Sequence, residues 1–139
     1  MHTKYPNLIS ERAAIGSTMT HEGRPIYWLR ISDNPTIDET TEEEVFYNAL
    51  HHAREPNSLS QIIYFMWYLL ERYETDLEVK YLVDNMEMYF VPMVNPDGYI
   101  YNQTTNPSGG GLWRKNKKDN DDSKKNSQVW LESTRNSFF

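Results

Sequence analysis

His52 and Glu55 stand three residues apart in the run His52-Ala53-Arg54-Glu55-Pro56, an imidazole and a carboxylate beside a guanidinium. Imidazole nitrogen and carboxylate oxygen are both good zinc ligands, and a catalytic zinc takes three protein ligands plus a water. These two residues would supply two of the three. Cysteine is absent from the 139 residues, so any metal site has to be built from His, Asp, Glu and water. A bare His-x-x-Glu arises often by chance, and its meaning depends on what surrounds it.

The chain has the length of one ordinary domain, and its content of 38% hydrophobic and 14% aromatic residues excludes wholesale disorder. A net charge of −6 argues against a nucleic-acid or anionic-membrane partner. The Lys117-Lys118 and Lys124-Lys125 pairs are interleaved with acids and lack aromatic neighbours, so they make no nucleic-acid site. There is no 18-residue apolar run, and Met1-His2-Thr3-Lys4-Tyr5 has no hydrophobic signal core.

The elements that would position His52 and Glu55 are α/β in pattern. Ala14-Ile15-Gly16-Ser17 and Pro25 through Ser32 predict a strand pair joined by a polar turn at Gly23. After an acidic connection over residues 33–44, Val45 through Leu50 reads as a buried strand running into His51-His52. Ser58-Leu59-Ser60-Gln61 has capping-box spacing, and Leu59, Ile62, Ile63, Met66, Leu69 and Leu70 then repeat as one helical face. A short helix is expected over Asp76–Val83, then a strand over Met86–Val94 ending in a turn at Asn95-Pro96-Asp97-Gly98. A strand–helix–strand unit of this length is a right-handed crossover whose strands end on one sheet edge. His52, Glu55 and Asn95 should therefore meet in space, while strand alternation would turn His51 to the other side from His52. His2 and His21 read as terminus and turn residues. Lys115 to Gln128 contains no apolar side chain and reads as a solvated loop or disordered run.

Together these segments resemble the zinc metallocarboxypeptidases, the family of the pancreatic digestive carboxypeptidases. Four stretches carry the resemblance in family order: Ile15-Gly16-Ser17 through Glu22-Gly23-Arg24-Pro25-Ile26, His52-Ala53-Arg54-Glu55, Asn95-Pro96-Asp97-Gly98, and Leu112-Trp113-Arg114-Lys115. It implies an α/β fold with a partial mixed β-sheet and packed helices, the N-terminal half of a carboxypeptidase domain over residues 1–115. Residues 116–139 would be a polar loop and divergent tail. It implies Zn2+ as cofactor with His52 and Glu55 as metal ligands. Arg54 matches a substrate-binding arginine. Arg114 matches the arginine that polarises the scissile carbonyl and binds substrate. A guanidinium beside developing negative charge suits that task, and it can also grip a terminal carboxylate with two hydrogen bonds. The implied substrates are peptide or protein C-termini, cleaved by zinc-activated water. Secretion is typical of such proteins, although no signal peptide is visible in this chain.

The chain also departs from the family pattern. Where a segment clamping the peptide carboxylate is expected, it has Glu132-Ser133-Thr134-Arg135-Asn136, with only Arg135 as a candidate. The family's third zinc ligand and its glutamate base lie farther downstream than these residues extend. The expectation is therefore an incomplete site, inactive alone. The competing expectation is a non-catalytic remnant that binds zinc or a peptide carboxylate weakly and exposes apolar surface. A zinc-dependent amidase sharing His-x-x-Glu fits Asn95–Gly98 and Trp113-Arg114 less well.

Overall fold

The computed structural model describes residues 1–118. Seven elements follow in order: β1 (Ala13–Ala14), β2 (Tyr27–Ile31), β3 (Glu43–Asn48), α1 (Asn57–Arg72), α2 (Leu77–Asn85), β4 (Met86–Val91) and α3 (Pro96–Thr105). They form a four-stranded sheet in the order β1-β2-β4-β3. β4 pairs parallel with β3 and antiparallel with β2, so the sheet is mixed. The parallel pair is joined through α1 and α2, as the crossover pattern requires, and both strands end at the same edge.

Side-chain alternation sorts the sheet into two faces. Leu29 opposite Phe90 and Ile31 opposite Met88 line one face, where Ile62, Met66, Leu69 and Leu70 of α1 are buried with them in one core cluster. Phe90 is fully buried at its centre, stacked on Tyr47 at 5.0 Å. Ile63, assigned to that stripe from sequence, lies 36% exposed at the margin of the packed face. The other face carries a buried polar cluster in which Arg30 meets Glu87 at 2.5 Å and Tyr89 at 3.0 Å. Glu87 also accepts from the Tyr89 hydroxyl and the Glu39 N–H, and the Arg30 Nε donates to the Pro35 carbonyl. Next to it, Phe46 on the edge strand β3 is 58% exposed.

Helix α1 starts two residues earlier than the capping box suggested, with Pro56 rather than Ser58 at its N-cap, and Pro56 makes no side-chain cap bond. Ser58 serves the neighbouring loop instead: its hydroxyl accepts from the Leu50 N–H at 3.2 Å and donates to the Glu55 carbonyl at 3.1 Å. Helix α2 begins at Leu77, capped by Asp76, which accepts from the N–H groups of Glu78 and Val79. The turn expected at Asn95–Gly98 is the first turn of α3, with Asn95 as N-cap and Pro96 at its opening. Asn-Pro-Asp-Gly signals a turn and a helix start equally well, and the ten residues from Pro96 show no apolar stripe to decide between them.

The loop before β3 holds one strained carboxylate. Glu42 Oε2 is buried without a hydrogen-bond partner, and burial, then the charges of Glu39, Asp33, Glu87 and Asp84, raise its carboxyl above the ordinary value of 4.5. A folded-state value above the unfolded one means that the native state prefers the protonated acid. That preference stabilises below the unfolded value and is lost as pH rises through the folded one. Glu42→Gln is therefore expected to raise the melting temperature at pH 7, with the gain vanishing below about pH 4. Thermal unfolding of both proteins across that range checks it.

Candidate metal centre

The site forms where β3 and β4 end. β3 stops at Asn48, and Leu50 takes a left-handed conformation with φ 56°, unusual for a branched residue and costing on the order of 1 kcal/mol. The bend is held by backbone bonds from Val94 to Ala49 and from Asn95 to Leu50, both 3.0 Å. Because the strand has ended, alternation no longer governs the next residues, and His51 and His52 line the same cavity of about 650 Å³. This corrects the expectation that His51 faces away. His51 Nε2 contacts Asn48 Oδ1, and burial, then the neighbouring His52, lower its pKa and keep the ring neutral.

Residues 52–55 make a tight turn, the Glu55 N–H donating to the His52 carbonyl at 3.0 Å. Ala53 is buried beneath it, and its N–H donates to the Arg114 carbonyl at 3.0 Å. That bond brings a segment sixty residues away in sequence onto the motif. The Arg114 Nε then donates to Glu55 Oε1 at 3.0 Å, both groups partly exposed. Arg114 shares the cavity wall with His51 and His52, while Ile15, Met19, Phe46 and Val91 make its apolar side. Arg54 does not line this cavity; it is exposed and makes no hydrogen bond or ion pair among the described residues. His21 does line it, from the loop between β1 and β2, and was passed over in the sequence because a turn histidine carries no signal of its own.

Helix α3 supports both segments. Asn102 donates to the Trp113 carbonyl at 2.7 Å and accepts from its N–H at 2.9 Å. The indole stacks obliquely on Tyr101 at 5.0 Å and donates to the Lys115 carbonyl, on the far side of Arg114. Asp97, 5% exposed, accepts from Thr20 Oγ1, the Glu22 N–H and the Arg24 guanidinium, and so ties the β1–β2 loop to the start of α3.

His52 and Glu55 offer the nitrogen and oxygen donors that zinc accepts from one short turn; His52 lines the cavity, and Glu55 touches Arg114 of its wall. Among the described residues, no third His, Asp or Glu joins them in a group able to hold a metal. The two acidic groups that bring ligand atoms within 4.8 Å of one another, Asp33-Glu39-Glu42 and Asp38-Glu44-Glu87, gather at the opposite end of the sheet. Arg135, the candidate for the carboxylate clamp, falls outside the described residues. Arg114 competes with a metal for Glu55 and adds a repelling charge. Arg114→Ala is therefore expected to raise zinc affinity by up to about fivefold, matching the ~0.2–1 kcal/mol of an exposed ion pair. Calorimetric titration of both proteins with Zn2+ reads this directly.

The comparisons with known proteins identify the family and the fold. The family model described as zinc carboxypeptidase matches residues 1–136. A zinc carboxypeptidase of Saccharothrix mutabilis subsp. capreolus is 36% identical over 118 residues, 85% of this chain and 26% of that protein. The crystal structure of thrombin activatable fibrinolysis inhibitor superposes with a TM-score of 0.71 at 26% identity, covering 87% of this chain and 28% of its own. That of carboxypeptidase A from Helicoverpa armigera gives 0.66 at 28% identity, covering 86% and 26%. The chain thus spans about a quarter of the length of the relatives it matches.

Proposed function

Because the chain belongs to the zinc carboxypeptidase family, we propose that it presents part of a site for releasing C-terminal residues from peptides, with His52 and Glu55 as zinc ligands. The observation that carries this reading is the backbone bond between Ala53 and Arg114, which brings the arginine segment onto the His52–Glu55 turn, with His52 and Arg114 lining one cavity. Zinc, when bound, supplies Lewis acidity and lowers the pKa of a water toward 7. The chain's own residues do the rest. Arg114 provides a fixed positive charge, with hydrogen-bond donors, for the carbonyl oxygen that gains negative charge during hydrolysis. Arg54, exposed beside the motif, has its guanidinium available for a substrate carboxylate or carbonyl. Burial, then the neighbouring His52, lower the His51 pKa, which favours its uncharged form beside His52.

Among the described residues zinc would be held through two side chains, His52 and Glu55, and these residues by themselves are not expected to hydrolyse peptides. That follows from the missing third ligand among the described residues, since affinity depends on a fully liganded, preformed site. The test is incubation of the zinc-loaded chain with a synthetic peptide bearing a free C-terminus, with and without chelator. No chelator-sensitive release of the terminal residue is expected. Sustained release abolished by chelator would show that the chain assembles a working centre and would overturn the inactive reading.

A further inference from the structure

Asn95 is 6% exposed, and its side chain uses one acceptor and both donors. Its Oδ1 accepts from the Gly98 N–H at 3.1 Å, which is the N-cap of α3. Its Nδ2 donates to two carbonyls, those of His51 and Lys115, each at 3.1 Å. One of these carbonyls immediately precedes His52, and the other immediately follows Arg114. The carboxamide therefore pins the proposed metal-binding turn and the arginine segment to a single point at the end of β4. The fit around it is close. A Cβ at Gly98 would stand 2.5 Å from the Lys115 carbonyl oxygen, 2.7 Å from the Ala53 Cβ and 2.9 Å from Asn95 Nδ2. Only glycine lets helix α3 approach both segments at once.

We propose that Asn95 is a positioning residue for the site: by clamping the His51 and Lys115 carbonyls it fixes His52 and Glu55 relative to Arg114 and so sets metal affinity. This rests on the reading of His52 and Glu55 as zinc ligands. Outer-shell groups of this kind act by holding ligands in the orientation the metal needs, so that binding costs no reorganisation.

Capping and clamping can be separated in one substitution. Serine caps helices as well as asparagine does, carries no charge, and is too short to reach both carbonyls. In Asn95→Ser the α3 cap should survive, with far-UV circular dichroism like that of the wild type. Zn2+ affinity should fall by about 10- to 100-fold, the usual effect of losing an outer-shell partner. Amide exchange supplies a second readout without metal: the Ala53 N–H, bonded to Arg114, should exchange at least ~10-fold faster, while core amides of β4 keep their protection. Gly98→Ala, which leaves Asn95 intact but pries the same segments apart, should weaken Zn2+ binding in the same direction.

Wild-type Zn2+ affinity and Ala53 protection in Asn95→Ser would overturn the proposal. A general loss of helical signal would overturn it too, assigning Asn95 to the fold alone. If the wild-type chain binds no Zn2+, the ligand reading fails by itself, and the Ala53 exchange rate still decides whether Asn95 clamps the two segments.

Discussion

Arg30→Met is expected to destabilise the protein by about 3–5 kcal/mol, the cost of leaving one member of a buried ion pair without its partner. Arg30 and Glu87 are both almost wholly buried, and their contact is 2.5 Å. Without the guanidinium, Glu87 keeps two hydrogen bonds, from the Tyr89 hydroxyl and the Glu39 N–H, but no compensating charge. It would also stand among the acids of the preceding loop, which already push the Glu42 carboxyl up. For a domain with roughly 5–15 kcal/mol of stability, such a loss is a large share of the whole. The double variant Arg30→Met, Glu87→Leu should recover much of it, because a buried pair replaced by apolar side chains is often neutral. Urea unfolding of the two variants checks both statements; equal losses in both would show that the charges are not the cause.

Phe90→Ala should cost about 3–5 kcal/mol for a different reason, the loss of transfer energy together with the cavity left behind. Phe90 sits in the middle of the central strand with no exposed surface, stacked on Tyr47 and within 6.2 Å of Phe65. Its neighbours belong to an adjacent strand and to α1, which cannot easily close the gap. The effect should appear in unfolding midpoints, and the amides that hold the His52–Glu55 turn should keep their protection relative to the rest of the native state. A loss below about 1 kcal/mol would mean that the core relaxes far more than packed interiors do.

The crossover from β3 through α1 and α2 to β4 was legible because each piece carries its own period: a short apolar run, a 3.6-residue stripe, and another apolar run. Of the candidate site, His52, Glu55 and Arg114 stand out in the sequence by side-chain type, and the structure brings Arg114 onto Glu55. What the sequence hid were pairings made across the fold. Arg114 meets Glu55 across 59 positions, and Arg30 meets Glu87 across 57, with nothing in either neighbourhood to announce it. Asp97 reads as a turn residue, yet it anchors Thr20, Glu22 and Arg24 from some 75 residues away. His51 was misplaced for a local reason. Alternation was carried past Asn48, and the left-handed bend at Leu50 that ends it belongs to a residue type that rarely adopts one. Helix α3 escaped because it is held by hydrogen bonds from Asn95 and Asn102 rather than by an apolar face.

The central claim is that His52 and Glu55 hold zinc together. Calorimetric titration of the purified 139-residue chain with Zn2+, beside His52→Ala and Glu55→Gln, tests it most directly. One zinc per chain is expected in the wild type, with weak affinity because no third ligand joins the pair among the described residues, and with binding lost in each variant. Binding of equal strength in all three proteins would place the metal elsewhere and contradict the assignment.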